Sequence, residues 1–208
     1  MGHIPTSEST NLMHLSFHDA LREAKKPQQT YDVSKWLFVP PYYDEYRYVL
    51  GTLGEHPLIC CGINPSTAAP DNLDNTLKSV QRIAQANGFD SFLMFNVYAQ
   101  RATYPEDMDK VVNADLDKQN MNAFAYLLKL AGQNGRKPTV WAAWGNIIET
   151  RSYLKDCVRE MVRITNSYGG ADWVHAGTIS KKGHPHHPLY LKKDSKLEMF
   201  DMDTYLKE

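Results

Sequence analysis

The sequence predicts an α/β fold with three layers, α/β/α, in which helices cover both faces of a central, mainly parallel four-stranded sheet. Four short apolar runs lie at 58–63, 91–97, 139–143 and 172–176, and helical segments separate them. Continuous apolar runs are typical of strands buried on both faces, and their alternation with helices indicates βαβ units. Because 208 residues suit one hydrophobic core, we expect a single α/β domain over 1–208.

The segment 1–35 is predicted to be an N-terminal helical extension that precedes a core at 36–208. Apolar residues within 6–28 have weak helical spacing, and Ser16 is able to cap a shorter helix there. Pro27 is expected to end this helix.

An edge hairpin is predicted before the first apolar run. The pieces WLFV and YRYVL within 36–53 read as extended, and PPYYDE joins them. Pro40 and Pro41 suit a turn and exclude a central strand at that point. Further helices are predicted between the four apolar runs, at 74–87, 115–131 and 146–162.

The sequence also predicts the cellular location of the protein. No apolar stretch reaches the roughly 18 residues that a membrane span needs, and MGHIPTSEST lacks the pattern of a secretory signal. We therefore expect a cytoplasmic protein that does not bind membranes. Cys60, Cys61 and Cys157 are expected to be reduced and buried, because an adjacent pair in an apolar run is poorly placed for a disulfide or a metal site.

The net charge of −1 argues against a broad positive face for long nucleic acid, which needs many Lys and Arg contacts to phosphate. Positive charge is nevertheless concentrated at one place in the sequence. Four lysines bracket a histidine-rich stretch, and they form either a basic rim of the site or a solvated loop: Lys181, Lys182, Lys192 and Lys193.

Polar or small residues follow each of the four predicted strands. These segments are GINPS (62–66), FNVYAQR (95–101), AAWGN (142–146) and GHPHHPLYL (183–191). Ligands of open parallel sheets bind beyond the carboxyl ends of the strands. We therefore expect these four segments to converge on one site.

The first segment offers backbone and amide groups to a ligand. Gly62 permits close approach and Pro65 fixes φ, so the amides that follow, beginning at Ser66, are able to face a ligand together with Ile63. Asn64 either orients a water molecule in the site or satisfies amides of its own loop. The residues alone leave both roles open.

The second and third segments supply further candidates. Asn96 carries a donor and an acceptor in one plane, which matches the edge of a nucleobase. Tyr98 either stacks on that base or belongs to the core. Arg101 either meets a phosphate or forms a salt bridge with Asp107. Gly145 is the candidate from the third segment.

Three histidines stand in the fourth segment, at His184, His186 and His187. A metal-dependent hydrolase built on them is one hypothesis, and it predicts tightly bound metal. We nevertheless predict no metal, because the chain has no Cys or second His motif with zinc spacing. A histidine that donates to a carbonyl oxygen or to a leaving group is the preferred interpretation.

Acidic residues follow the first segment, at Asp71 and Asp74, with Asn75 beside them. They are placed to cap a helix that starts near Thr76, or one carboxylate serves as a base. Capping is the preferred role.

With these residues identified, the chain resembles a family of bacterial and phage proteins, the domain of unknown function numbered sixteen forty-three. The resemblance starts near Tyr46. It then runs through GINPSTAAPDNLDNT, FNVYAQRATYPEDM and AAWGNIIETRSYL to KKGHPHHPLYL and FDMDTYL.

A more distant similarity to the uracil-DNA glycosylase superfamily implies a fold of that kind and a mechanism. GINPS is similar to the motif GINPG, which implies that Asn64 positions the hydrolytic water. HPLYL resembles the motif HPAYL, which implies that His187 meets the base or leaving group and that Leu189 and Tyr190 enter a duplex. FNVYAQRATYP and WAAWGN are similar to the superfamily's NVVKCRPP and IVALGN segments.

Two departures from that pattern bear on the site. Ser66 replaces the final Gly of the first motif, and the cysteines of the iron–sulfur branch have no counterparts, so we predict no cluster and no cofactor. The resemblance favours a nucleobase N-glycosidic bond hydrolase acting on a modified or mismatched base or a nucleotide. The alternative is a non-catalytic module that binds a nucleotide or nucleic acid.

Overall fold

A seven-stranded sheet forms the centre of the computed structural model, which describes residues 2–6 and 12–207. The strands are β1 (Trp36–Val39), β2 (Val49–Thr52), β3 (Pro57–Gly62), β4 (Ser91–Asn96), β5 (Thr139–Ala142), β6 (Asp172–Ala176) and β7 (Leu197–Met199). Their order across the sheet is β1-β2-β4-β3-β5-β6-β7.

The four central strands confirm the parallel sheet predicted from the apolar runs. β3 pairs in parallel with both β4 and β5, and β5 pairs in parallel with β6. All six residues of β3 and all six of β4 are buried, as expected for strands covered on both faces. The carboxyl ends of β3 and β4 meet where Gly62 pairs with Asn96.

The prediction of four strands is wrong, because antiparallel strands extend the sheet at both edges. The predicted hairpin is present, with β1 antiparallel to β2, and β2 also pairs antiparallel with β4. At the other edge β7 pairs antiparallel with β6. β4 and β6 are the outer strands of the parallel part of the sheet, and their unpaired backbone groups form hydrogen bonds with β2 and β7, respectively.

In the described part of the chain, five α-helices accompany the sheet: α1 (Phe17–Ala24), α2 (Asn75–Ala86), α3 (Ala114–Ala131), α4 (Leu154–Ser167) and α5 (Met202–Tyr205). The shorter first helix is confirmed, since the Ser16 side chain accepts a hydrogen bond from the amide of Asp19. The longer helix predicted over 6–28 is wrong at both ends, and residues 7–11 lie outside the described part of the chain.

The helix predicted at 146–162 is displaced. A 3-10 helix occupies Gly145–Glu149, and α4 starts only at Leu154. Gly145 has a positive φ of 62°, which turns the chain away from the α conformation at the start of the segment. The helix then continues to Ser167, because buried residues recur at helical spacing beyond the predicted end.

The helices form layers on the two faces of the sheet. One apolar cluster packs α1, α3 and α4 against one face, and a second packs α2 against the other. Consecutive residues of a strand point to opposite faces, so Cys60 belongs to the second cluster and Cys61 to the first.

All three cysteines are free thiols buried in the protein. Burial raises the pKa of Cys60, Cys61 and Cys157 above the ordinary thiol value. Among the described residues, no helix is both long enough and apolar enough to cross a lipid bilayer.

Candidate active site

A cavity of about 460 Å³ opens at the carboxyl ends of β3 and β4. Its wall is formed by the loop after β3, the start of α2, the loop after β4 and the histidine segment. The lining residues are Arg47, Gly62, Ile63, Asn64, Ser66, Thr67, Asp74, Asn75, Thr76, Leu77, Met94, Asn96, Ala102, Thr103, Pro105, Ile147, His187, Leu189 and Tyr190. The cavity lies where the strand-end rule places a ligand.

The floor of the cavity is packed closely around Gly62. A Cβ atom at this position would lie 2.7 Å from Cε of Met94 and 3.0 Å from Nδ2 of Asn96. Glycine therefore leaves the space through which the Asn96 amide reaches the cavity. Its role in close approach, expected from the sequence, has a geometric basis here.

Asn64 is held in one orientation by its own loop and by the loop after β4. Its Nδ2 donates to the carbonyl oxygen of Ala102 at 2.7 Å and to that of Pro65 at 3.2 Å. Because two carbonyl acceptors require the NH₂ group on that side, the carbonyl oxygen Oδ1 of Asn64 is left as an acceptor. Asn64 lines the cavity, so this oxygen is available to a water molecule or ligand.

Arg47 is a lining residue that the sequence analysis did not identify. The side chain is 1% exposed, and its Nη2 donates to Oδ1 of Asn96 at 3.3 Å while Nη1 donates to the Ala68 carbonyl oxygen at 3.2 Å. Its Nε has no hydrogen-bond partner among the described residues. Since Arg47 occupies the acceptor of Asn96, Asn96 presents its NH₂ donor to a ligand instead of a donor and an acceptor.

Arg101 lies behind the cavity wall and does not line the cavity. It is fully buried, donates through Nη1 to the carbonyl oxygen of Ser66, and stacks over Tyr43 with its guanidinium carbon 4.2 Å from the ring centroid. The salt bridge to Asp107 considered from the sequence is not formed between these two described residues. Arg101 thereby holds the loop that carries Asn64 and Ser66.

His187 lines the cavity as a neutral hydrogen-bond donor. Its Nδ1 accepts a hydrogen bond from the Leu189 amide at 3.3 Å, so the ring proton is carried by Nε2. Burial lowers the pKa of His187 below its ordinary value, His186 lowers it further, and Asp74 opposes the shift. The ring therefore stays neutral at physiological pH and offers Nε2–H as a donor.

Helix α2 supports two separate parts of the cavity wall. The Asp74 side chain caps the helix by accepting from the Leu77 amide at 2.9 Å, which confirms the preferred role for this residue. One turn later Ser79 donates to the carbonyl oxygen of Pro188 at 2.8 Å. This bond holds the 3-10 turn Pro188–Tyr190, which directly follows His187.

Leu189 and Tyr190 stand at the rim. They are 38% and 78% exposed, respectively, although both also line the cavity. A ligand that enters the cavity would pass these two apolar side chains.

Besides Arg101, four of the predicted site residues do not line this cavity. Tyr98 is fully buried, its hydroxyl accepts from the Asn113 amide at 2.9 Å, and its ring packs on Tyr153. The backbone oxygen of Pro65 accepts from the Asn64 side chain and from the Ala102 amide in the loop after β4. The other two, Gly145 and His184, line a neighbouring surface pocket that shares His187 and Tyr190 with the cavity.

His184 is bonded through both ring nitrogens. Nδ1 lies 3.0 Å from the Tyr205 hydroxyl and Nε2 lies 3.2 Å from Oε1 of Glu149. This arrangement removes His184 from the metal hypothesis, and no group of three or more His, Cys, Asp or Glu side chains among the described residues is arranged to hold a metal ion. His186 donates through Nδ1 to the carbonyl oxygen of His187 at 2.9 Å.

Several cavity residues had no distinct signal in the sequence. Arg47 stands in the extended YRYVL segment, where a charged residue is expected to face solvent. Met94 reads as an ordinary member of an apolar run, and Thr67 as an ordinary loop residue. An arginine inside a run that is otherwise apolar is the signal that could have been used for Arg47.

Residues 47–189 match the family described as "Protein of unknown function (DUF1643)". No curated protein and no solved structure matches the chain. Among the described cavity residues, all but Tyr190 fall within the matched range. Because the match spans more than half of the sequence, the chain belongs to this family of proteins of unknown function, DUF1643.

Proposed function

We propose that the protein hydrolyses the N-glycosidic bond of a modified or mismatched nucleobase or of a nucleotide. One observation carries this proposal: the cavity combines an acceptor fixed on Asn64 with a neutral Nε2–H donor fixed on His187. Hydrolysis needs both polarities, since water must be oriented for attack while the departing base gains negative charge.

In the proposed reaction, Oδ1 of Asn64 accepts a hydrogen bond from the attacking water. The water oxygen bonds to the anomeric carbon, and the electron pair of the broken C–N bond leaves with the base. His187 donates from Nε2–H to the base without giving up its proton. Asp74, the one acidic side chain among the described cavity residues, takes the proton of the water and returns it to the base.

Asn96 contributes recognition in this proposal. Its acceptor is taken by Arg47, so its NH₂ group is available to a carbonyl or ring-nitrogen acceptor of the base. If the base lies in duplex DNA, it must be extruded at a cost of a few kcal/mol. Leu189 and Tyr190, exposed at the rim, are then the residues that fill the space left in the stack.

A second function, binding without reaction, is favoured by one observation. The amide of Asn64 joins its loop to the loop after β4, which is also what a purely structural asparagine would do. In that case the cavity recognises a nucleotide or modified base and releases nothing.

The experiment that separates these functions follows the released base. Purified protein is incubated with native and modified DNA and with free nucleosides and nucleotides, and mass spectrometry detects free base. We expect release by the wild type and none by Asn64→Ala or His187→Gln, with ligand affinity retained. His56→Gln is the control, because His56 packs on Phe89 away from the cavity. No release from any substrate, with binding intact, would favour the binding module.

A further inference from the structure

Two buried guanidinium groups lie next to the cavity, and neither has a hydrogen-bonded carboxylate partner among the described residues. Arg47 is 1% exposed and Arg101 is fully buried. Both donate only to neutral oxygen atoms, and Nε of each, with Nη2 of Arg101, lacks any partner among the described residues. Buried charges in proteins are normally paired, because an unpaired charge away from water is strongly unfavourable.

The charges are close enough to affect each other. Burial, and then the charge of Arg101, lowers the pKa of Arg47 to about 9, while Asp74 opposes the shift. Burial lowers the pKa of Arg101 to about 10. Both groups stay protonated at neutral pH. Asp74 acts on both of them, whereas Asp44 and Glu45 raise the pKa of Arg101 alone. Arg47 is therefore the guanidinium group with less compensating negative charge.

The groups around Arg47 suit an oxyanion. Thr67, Thr76 and Thr103 line the same cavity, although the Thr103 hydroxyl is already hydrogen-bonded to the His3 amide and to Oγ of Ser66. The first turn of α2 also reaches it, at Asn75 and Thr76, where amides have no intrahelical acceptor and the helix dipole is positive. A guanidinium with an unpaired N–H binds phosphate oxygen atoms through its planar fork of donors.

We propose that Arg47 and the first turn of α2 form a binding site for the phosphate group of a nucleotide ligand. The phosphate supplies the oxyanion hydrogen-bond partner that the Arg47 guanidinium lacks among the described residues. The assignment of the rest of the ligand as a nucleoside rests on the proposed function, whereas the phosphate site does not require any reaction. The phosphate belongs to a mononucleotide or to a strand of nucleic acid, and these sources are distinguished by experiment.

Isothermal titration calorimetry at constant ionic strength tests the proposal with four probes. These are deoxynucleosides, the matching 5′-monophosphates, inorganic phosphate, and a short single-stranded oligonucleotide. We expect the wild type to bind a monophosphate at least about tenfold more tightly than its nucleoside, the range of one charge-assisted hydrogen bond. Inorganic phosphate should compete with the monophosphate. Preference for the oligonucleotide over the monophosphate identifies a strand as the source.

The variant Arg47→Gln should lose the preference for the phosphorylated ligand. Arg159→Gln is the matched control, because Arg159 is exposed on α4, pairs with Asp156 and does not line the cavity. Thermal unfolding of each variant confirms that it is folded. Phosphate-dependent stabilisation of the wild type, measured against chloride, gives a second readout that does not depend on any variant.

The proposal is overturned if wild-type protein binds nucleoside and monophosphate equally, if Arg47→Gln keeps the preference, or if none of the four probes binds. Its failure is separable from that of the proposed function. Phosphate-dependent binding that is lost in Arg47→Gln, without release of base from any substrate, retains the phosphate site and removes the hydrolase. Release of base by a protein that does not prefer the phosphorylated ligand would retain the hydrolase and remove the phosphate site.

Discussion

At the residue scale, hydrogen bonds decide what each polar side chain of the cavity offers to a ligand. Asn64 and Asn96 carry the same amide, yet Asn64 has its donor used by the loop and Asn96 has its acceptor used by Arg47. One therefore presents an acceptor and the other a donor. His187 presents a donor for the same reason.

The lowered pKa of His187 predicts a specific dependence of stability on pH. The ordinary histidine pKa is 6.5 and that of His187 in the folded protein is lower. As pH falls through 6.5 the unfolded chain takes up the proton first, so this contribution to stability is complete above 6.5 and is lost below it. We expect His187→Gln to lose less stability than the wild type between about pH 7.5 and 5.5.

Chemical denaturation of both proteins at the two pH values measures this difference. His56→Gln, which removes a histidine with no contact to the cavity, serves as the control. If the wild type and His187→Gln have the same pH dependence, His187 is not held neutral by the fold.

The sequence predicted residues of the cavity unevenly, for a physical reason. Gly62 ends β3, while Asn64 and His187 stand in segments that follow strands, so the strand-end rule applies to them directly. Arg47 precedes β2, and its burial results from packing against the loop that contains Ala68 and against Asn96 at the end of β4. Contacts between segments that are distant in sequence leave no local pattern.

At the element scale, α2 is the helix that organises the site. Its N-cap residue Asp74 lines the cavity, and Ser79 one turn later fixes the turn that follows His187. The capping role and the proposed role of Asp74 in proton transfer depend on different properties of one carboxylate. Substitutions are able to separate them.

Asp74→Asn should keep the cap and remove the charge. Asparagine caps helices as well as aspartate does, so Asp74→Asn should lose only the attraction between this carboxylate and the buried guanidinium groups of Arg47 and Arg101. Asp74→Ala should lose about 1 kcal/mol more of unfolding free energy, because the cap is also removed. If Asp74 accepts the proton of the attacking water, Asp74→Asn also abolishes release of base. Denaturant unfolding and the base-release assay measure the two effects. A loss of stability in Asp74→Asn equal to that in Asp74→Ala would contradict the capping account.

The elements that the sequence predicted are those with strong periodicity. The four apolar runs agree with β3, β4, β5 and β6 to within about one residue, because burial on both faces demands uninterrupted apolar character. In contrast, β7 (Leu197–Met199) has one half-buried and two exposed residues, and backbone pairing with β6 defines it. No hydrophobic pattern could have indicated that strand.

At the scale of the whole molecule, hydrogen bonds join the C-terminal helix to the histidine segment. The Tyr205 hydroxyl of α5 accepts from Nε1 of Trp144 at 3.0 Å and lies 3.0 Å from Nδ1 of His184. His184 in turn contacts Glu149, which also pairs with Lys182. These bonds fasten the segment that contains His187 to the part of the chain beyond the family match.

Tyr205→Phe should therefore destabilise the protein although it keeps the aromatic ring. Trp144 and His184 would each lose the hydroxyl partner in a buried position, and an unsatisfied buried polar group costs about 1–3 kcal/mol. Tyr168→Phe is the control, since Tyr168 is 53% exposed and should have little effect. Equal unfolding free energies for the two variants would show that this set of hydrogen bonds adds nothing.

Helix α2 connects two parts of the cavity wall, and this connection has a consequence for ligand selectivity. The first turn of the helix and the turn Pro188–Tyr190 both line the cavity, and the Ser79 hydrogen bond joins them. A ligand too large for the space between them cannot be accommodated by moving a surface loop alone. It would have to displace a helix packed on the sheet, so discrimination by molecular size is built into the cavity.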